Sequence, residues 1–153
     1  MSTVLGLSHV ALNTPDLDRF HSFYCDVLGL QHLVTVEMNH PPHLRHAAFE
    51  VAVGTVLHVF EVPGYDPVAD GFGTEIGERG RIDHFGFMVA DWAALEELRD
   101  RLVAVGAADG QINQLGPVWP VHFRDPDGLA CEVNLPVAGF DPFENERDSV
   151  VET

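Results

Sequence analysis

The chain has 153 residues, enough for one ordinary domain or for two small modules that share a core. Its 24 acidic residues against 8 basic ones give a formal net charge of −16, which repels phosphate backbones and anionic lipid surfaces. We therefore expect no nucleic-acid partner and no membrane partner. The N-terminus has no basic stretch followed by an apolar core, and no apolar run approaches the ~20 residues of a membrane helix. Two cysteines make no disulfide framework, so we expect a cytoplasmic protein with buried thiols at Cys25 and Cys131.

The first module, residues 1–63, is predicted to fold as βαβββ. Residues 4–13 alternate weakly and predict a strand. A helix follows, with Thr14 as its N-cap, Pro15 at its first position and Gly29 at its end. Its apolar residues recur at helical spacing: Leu17, Phe20, Tyr24, Val27 and Leu28. Residues 30–38, 45–53 and 55–62 predict three further strands.

Residues 64–81 form a glycine-rich linker without periodicity, long enough to be a lid or a crossover. Tyr65 and Phe72 in this linker could close over a ligand. The pattern then repeats in a second module, residues 82–136, with a strand at 82–89, a helix capped by Asp91, a weak strand at 107–115 and a final hairpin. The acidic tail, residues 137–153, is frayed or lies over a partner subunit.

The final hairpin turns at Asp125-Pro126-Asp127-Gly128, since Pro fixes φ, Asp bonds its own backbone and Gly accepts a positive φ. If Arg124 pairs with Ala130, then His122 falls opposite Glu132 and both side chains project from the same face. A register change of one residue would separate them. An imidazole beside a carboxylate is suited to holding or transferring a proton.

The two modules repeat each other position by position. A shift of 75 residues superposes His9 on His84 and Asp16 on Asp91, and a shift of 74 superposes His58 on Glu132. A repeat of this kind indicates units that need each other to bury an apolar face. The first and last strands of two related half-barrels then bring together positions 9, 58, 84 and 132.

At these residues the chain resembles the vicinal oxygen chelate superfamily, which includes glyoxalase I, extradiol dioxygenases, methylmalonyl-CoA epimerase and the fosfomycin- and bleomycin-resistance proteins. The resemblance spans about the first 136 residues. It is carried by Ser8-His9-Val10-Ala11-Leu12, Phe23-Tyr24-Cys25-Asp26-Val27-Leu28-Gly29-Leu30, Asp83-His84-Phe85-Gly86-Phe87, and Asp125-Pro126-Asp127-Gly128 followed by Glu132. It implies an α+β fold, a single domain over residues 1–136 whose two βαβββ modules form a cupped mixed sheet with helices outside.

The resemblance also implies one divalent metal held by His9, His84 and Glu132. His58 occupies a fourth, variable position that is often Glu or Gln in related proteins. Glu61 is a rival for that position, although its odd separation from His58 puts it on the opposite strand face. Fe(II) or Mn(II) is favoured, and Zn, Ni or Co would suit acid–base chemistry. The resemblance implies a homodimer, and it leaves open whether the modules pair within one chain or between two.

Other residues are assigned from pattern and strand parity. His122 is the candidate acid–base residue, because an unperturbed imidazole titrates near pH 6.5. The predicted substrate pocket consists of Phe60, Met88, Trp119 and Arg124. The histidine-rich stretch is expected to be an exposed loop, with a pocket rim as the alternative: His40, His43 and His46.

The resulting hypothesis is a metal-dependent enzyme that acts on a small oxygenated substrate, of dioxygenase or lyase/isomerase type. Glyoxalase I itself fits less well, because the fourth ligand position is a histidine. The alternative is an antibiotic-binding resistance protein of the same fold, which sequesters a ligand without turnover. The full set of candidate ligands argues against a metal-free binder.

Overall fold

The computed structural model describes residues 3–39, 41–67 and 82–138. Three sequence predictions lie outside these residues: the placement of His40, the linker from 68 to 81 with Phe72, and the tail from 139 onward. The chain divides into two compact units. The first holds the chain up to Asp83 together with the hairpin turn 124–129, and the second holds residues 84–123 and those from 130 onward. No helix within the described ranges is long and apolar enough to cross a bilayer.

The first unit is a four-stranded sheet with one helix, which confirms the predicted βαβββ order. Its elements are β1 (His9–Thr14), α1 (Leu17–Ser22), a π-helical turn (Phe23–Val27), β2 (Gln31–Glu37), β3 (Arg45–Ala52) and β4 (Thr55–Glu61). The strand order is β1-β4-β3-β2, with β1 parallel to β4 and the other pairs antiparallel. Because β1 and β4 lie side by side, residues from the start and end of the module share one sheet face.

Helix α1 covers one face of this sheet. Its residues Leu17 and Phe20 are buried, as are Tyr24 of the π-helical turn and Phe49 and Val59 on the sheet. The predicted N-cap was wrong by two residues: the Asp16 side chain accepts from the Arg19 backbone N–H, whereas the Thr14 hydroxyl accepts from the Asp16 N–H. The two short oxygen side chains compete for the same turn, and the one with extended backbone geometry just before the helix becomes the cap.

The second unit has a three-stranded sheet and one helix: β5 (Phe85–Met88), α2 (Trp92–Ala104), β6 (Val118–Arg124) and β7 (Ala130–Pro136). The strand order is β5-β7-β6, with β5 parallel to β7. The predicted N-cap is confirmed, since the Asp91 carboxylate accepts from the Ala94 N–H at 2.9 Å. Leu95 and Leu102 of α2 are fully buried, and Val121 and Val133 of the sheet are fully buried as well.

The weak strand predicted at 107–115 is wrong. This segment is described and contains no strand, only one isolated bridge between Leu115 and Val118. The Asp109 side chain accepts from the Gln111 N–H, and Gly110 has a φ of 80°. A side chain that bonds its own backbone and a left-handed glycine both compete with extended pairing, so the local turn replaces the strand.

The hairpin register is confirmed. The Asp125 N–H donates to the Leu129 carbonyl at 3.0 Å, and the Val137 N–H donates to the Pro117 carbonyl at 2.8 Å. These two hydrogen bonds lie at opposite ends of the hairpin and require the same register, in which His122 lies opposite Glu132.

The hairpin turn contains a buried carboxyl group. Asp125 Oδ1 accepts from the backbone N–H groups of Asp127 and Leu129, and Oδ2 accepts from the Tyr24 hydroxyl at 3.1 Å. Burial, with a contribution from Asp127, raises the pKa of Asp125 to about 6, although its hydrogen bonds oppose the shift. The neighbouring Asp127 is also buried and pairs with Arg19. These contacts tie the turn to α1 and the π-helical turn.

Neither Cys25 nor Cys131 forms a disulfide bond. Cys131 is buried as predicted, whereas Cys25 is only half-buried. Burial and the nearby Asp26 charge raise the pKa of the Cys25 thiol.

Candidate functional site

The first sheet has one face that α1 does not cover, and histidines lie on it. Strand alternation separates this face from the buried side, because Leu57 and Val59 point towards the helix and His58 points away. In the parallel pair, Ala11 lies opposite His58, and the rings of His9 and His58 stack with centroids 5.0 Å apart. The structure therefore brings together these two predicted ligand positions within the first unit.

The rival position Glu61 has a different role. Its carboxylate accepts from the Leu17 N–H at 3.0 Å and lies 3.5 Å from the Arg45 guanidinium. Glu61 thus satisfies a backbone donor at the start of α1, where a negative charge also complements the helix dipole. The parity argument for His58 over Glu61 agrees with this placement.

His46 differs from its predicted place. It lies in β3 and not in the loop, and it is half-buried on the same sheet face as His58 and Phe60, with ring centroids at 6.4 Å and 5.3 Å. Its Nδ1 is buried and has no hydrogen-bond partner among the described residues. The signal was available in the sequence, because His46 falls inside the predicted strand 45–53 and shares parity with residue 48, which pairs with His58. His43 does lie in an exposed loop, where Nδ1 contacts the Met38 carbonyl.

On the face of the second sheet that α2 does not cover, two histidines lie against one carboxylate. His122 Nδ1 lies 3.1 Å from Glu132 Oε1, and His84 Nε2 lies 3.5 Å from the same oxygen. The Glu132 side chain is only 16% exposed, whereas His122 is 62% exposed. A largely buried carboxylate is thus held between two imidazoles, one of which is open to solvent.

Asn134 and Gly86 complete this face and were missed by the sequence interpretation. The Asn134 Nδ2 donates to Glu132 Oε2 at 3.1 Å, while its Oδ1 is buried without a hydrogen-bond partner in the described part of the chain. Gly86 lies opposite Glu132 in the β5–β7 pairing. Parity alone could have placed Asn134 beside Glu132, since two residues separate them on one strand.

The four predicted pocket residues have different surroundings. Phe60 is half-buried beside His46, and Met88 is 76% exposed and pairs with Asn134. Arg124 donates to the Gly128 carbonyl at 2.6 Å, so its guanidinium serves the hairpin turn.

The placement of Trp119 differs from the predicted one. It packs edge-on against Trp92 of α2 at 5.5 Å, with strand parity opposite to that of His122. Trp92 itself is 43% exposed.

The donor types suit a divalent cation. Imidazole nitrogen and carboxylate oxygen are the ligands of many Fe, Mn, Zn, Ni and Co sites. His9 also contacts the Ser8 hydroxyl through Nδ1 at 3.0 Å, the kind of contact that fixes the ring of a ligating histidine. Over residues 3–39, 41–67 and 82–138, however, no group of three or more His, Cys, Asp or Glu side chains surrounds a single point as a metal shell would.

Comparison with known proteins agrees with this architecture. The fold is that of the vicinal oxygen chelate superfamily. A family profile described as "Glyoxalase/Bleomycin resistance protein/Dioxygenase superfamily" matches residues 6–133, and the chain belongs to this superfamily. Proteins with this fold bind small-molecule ligands, and many hold a divalent metal.

Two similar proteins match most of this chain. The mitochondrial methylmalonyl-CoA epimerase of Mus musculus is 30% identical over 129 residues, which cover 83% of this chain and 71% of the epimerase. A glyoxylase/bleomycin resistance protein/dioxygenase domain from Frankia sp. is 29% identical with a TM-score of 0.71, covering 88% of this chain and 100% of that domain.

Two further structures extend the range of described activities. The lactoylglutathione lyase of Agrobacterium tumefaciens is 25% identical with a TM-score of 0.62, covering 91% of this chain and 100% of the lyase. The antibiotic-binding protein TnmS3 from a Streptomyces species is 16% identical with a TM-score of 0.62, covering 90% of this chain and 100% of TnmS3. The likeness to TnmS3 shows the fold alone.

Proposed function

We propose that this protein is a metal-dependent enzyme of the lyase/isomerase type, which moves a proton on a carbon atom next to a carbonyl group of a small oxygenated substrate. The observation that carries the proposal is the contact of both His84 and His122 with a single oxygen of Glu132, whose side chain is largely buried. A carboxylate and imidazoles held this close are suited to accepting and returning a proton.

The proposed metal ligands are His9, His58, His84 and Glu132. His9 and His58 stack on the face of the first sheet that α1 does not cover, and His84 lies against Glu132 within the second unit. When bound, a divalent metal would act as a Lewis acid that polarises a substrate oxygen and acidifies the adjacent C–H group. Fe(II) or Mn(II) is favoured, and Zn, Ni or Co would serve the same purpose.

The chain's own groups would handle the proton. His122 is the proposed acid–base residue, because its imidazole is exposed while its Nδ1 lies against Glu132. Glu132 would orient this ring. On the first sheet, His46 and Phe60 are the proposed substrate contacts, since the buried Nδ1 of His46 lacks a hydrogen-bond partner in the described structure.

Proton transfer is preferred to dioxygenase chemistry because of the relatives. The mouse relative is an epimerase and the Agrobacterium relative is a lyase. The sequestering alternative rests on TnmS3, whose likeness is confined to the fold. A homodimer is part of the proposal, since C₂ association is the commonest oligomeric arrangement.

The first test is the metal content of protein purified without chelator. We expect about one divalent cation per chain, and we expect His84→Ala to lose it while remaining folded. His32→Ala is the matched control, because His32 is exposed on β2 and bonds Thr35. Equal metal content in His84→Ala and His32→Ala would contradict the assigned ligands.

The second test separates proton transfer from binding. Methylmalonyl thioesters and other carbonyl compounds with an acidic C–H group are incubated with the enzyme in D₂O, and deuterium incorporation is followed by NMR. We expect enzyme-dependent exchange, and we expect His122→Gln to slow it by about 10²-fold or more. Tight ligand binding without exchange would favour the sequestering alternative, and oxygen uptake with catechols under Fe(II) would favour a dioxygenase.

A further inference from the structure

We infer that Asn134 is a positioning residue that fixes the orientation of the Glu132 carboxylate. The same inference explains why residue 86 is a glycine, because the Asn134 amide occupies the space that a side chain at residue 86 would fill. The inference rests on the proposed function only in taking Glu132 as a metal ligand that orients His122. Asn134, Glu132, His122 and Gly86 lie on β5, β6 and β7, and His84 directly precedes β5, so all of them belong to one unit.

The two oxygens of Glu132 have different partners. Oε2 accepts from Asn134 Nδ2 at 3.1 Å, while Oε1 lies 3.1 Å from His122 Nδ1 and 3.5 Å from His84 Nε2. The amide therefore occupies one oxygen and leaves the other for the histidines. Without the amide, the carboxylate could rotate and exchange its oxygens.

The orientation of the amide is set by chemistry. A carboxylate only accepts hydrogen bonds, so the NH₂ group of Asn134 must face Glu132. The Oδ1 atom is then turned away, and it is buried without a hydrogen-bond partner in the described ranges. A buried carbonyl oxygen without a partner is costly, so this arrangement is poorly explained by stability alone and is typical of a functional site. The same oxygen could accept a hydrogen bond from a bound ligand.

Gly86 supports this interpretation through space and not through backbone conformation. Among the described glycines, Gly86 is not one of those with a positive φ. Any L-residue can therefore adopt its backbone conformation. A Cβ at this position would lie 2.5 Å from Asn134 Nδ2 and 3.8 Å from Glu132 Cβ. Real Cβ atoms essentially never approach another heavy atom to 2.5 Å, so any side chain at residue 86 must displace the amide.

The spatial part of the inference is tested by a double-mutant cycle on thermal stability. We expect Gly86→Ala to lower Tm, because the new methyl group must push the Asn134 amide away from Glu132. Asn134→Ala removes the colliding atom, so Gly86→Ala introduced into Asn134→Ala should lower Tm by less than about half as much. Equal shifts in both backgrounds would overturn the assignment of Gly86.

The positioning part is tested with Asn134→Leu, which keeps a similar shape but has no N–H donor. Asn113→Leu is the matched control, because Asn113 lies in an exposed loop and contacts only Gln111 in the described hydrogen bonds. In metal-free protein labelled with ¹⁵N-histidine, we expect the imidazole signals of His122 to shift in Asn134→Leu and to remain unchanged in Asn113→Leu. Unchanged signals in Asn134→Leu would overturn the inference.

Co(II) titration followed by visible absorbance gives an independent readout. We expect Asn134→Leu to weaken Co(II) binding by about 10-fold, the usual effect of removing a hydrogen-bond partner from a ligating group. Co(II) binding as tight as in the unmodified protein would count against a positioning role. If the unmodified protein itself binds no Co(II), the proposed metal function fails, while the ¹⁵N-histidine signals still decide whether Asn134 orients Glu132.

Discussion

Replacing Asp125 with Asn should stabilise the protein at neutral pH. The Asp125 carboxyl is only 6% exposed, and burial, with a contribution from Asp127, raises its pKa from 3.8 to about 6. An asparagine has the same shape and can keep the same partners: its Oδ1 accepts from the Asp127 and Leu129 N–H groups, and its Nδ2 donates to the Tyr24 hydroxyl, which donates to Asp125 in the unmodified protein. The substitution therefore removes a buried charge and reverses the direction of one hydrogen bond.

The size of the effect follows from the pKa. One pKa unit corresponds to about 1.36 kcal/mol, so ionisation of Asp125 costs the folded state about 3 kcal/mol. The folded-state pKa lies above the unfolded value. The stability contributed by protonated Asp125 is therefore fully present below pH 3.8 and is lost as the pH rises through about 6. Asp125→Asn should be more stable than the unmodified protein by about 3 kcal/mol at pH 7.5, and the difference should shrink towards zero near pH 4.

Urea unfolding at pH 4.5, 5.5, 6.5 and 7.5 measures this difference, and comparison at each pH cancels the titration of the other carboxyl groups. Tyr24→Phe is an informative companion. The Tyr24 hydroxyl lowers the pKa of Asp125, so its removal should raise that pKa further and cost about 1 kcal/mol. A difference between Asp125→Asn and the unmodified protein that does not change with pH would refute the reasoning, as would destabilisation by Asp125→Asn at pH 7.5.

Three further predictions concern the core, a helix cap and the thiols. Phe49→Ala should lower the free energy of unfolding by about 3–5 kcal/mol because Phe49 is fully buried, whereas Val53→Ala, at a residue 98% exposed, should change it by less than about 0.5 kcal/mol in the same urea titration. Asp91→Ala should cost about 1 kcal/mol by removing the acceptor for the Ala94 N–H, and equal stability by circular dichroism melting would contradict that assignment. At pH 7.5 the thiols of Cys25 and Cys131 should react with a disulfide reagent more slowly than in urea-unfolded protein, because burial raises the pKa of Cys25 and Cys131 is 2% exposed.

Local patterns were sufficient for most of the first module and for the hairpin. Apolar spacing predicted the helix that contains Leu17 and Phe20, and the Asp-Pro-Asp-Gly sequence predicted the turn and the pairing of His122 with Glu132. Patterns failed where two local arrangements had similar energies. Asp16 replaced Thr14 as the N-cap, and the turn around Asp109 replaced a strand. In both places a short polar side chain bonds nearby backbone, and sequence alone does not rank such alternatives.

The candidate site also has features that the sequence predicted and features that only the tertiary structure showed. Motif spacing selected His9, His58, His84 and Glu132 as ligand positions, and these remain predictions for the metal. The sequence by itself determined which strand each of them occupies or adjoins and which face it shares, because side chains alternate along a strand with a period of two. Only the tertiary structure showed that Nδ1 of His46 is buried and that Trp119 packs on Trp92. It also showed that the Asn134 amide bonds Glu132 in the space left by Gly86. These features depend on distances between side chains of different strands and helices, which are fixed when the elements pack and not by the pattern of any one of them.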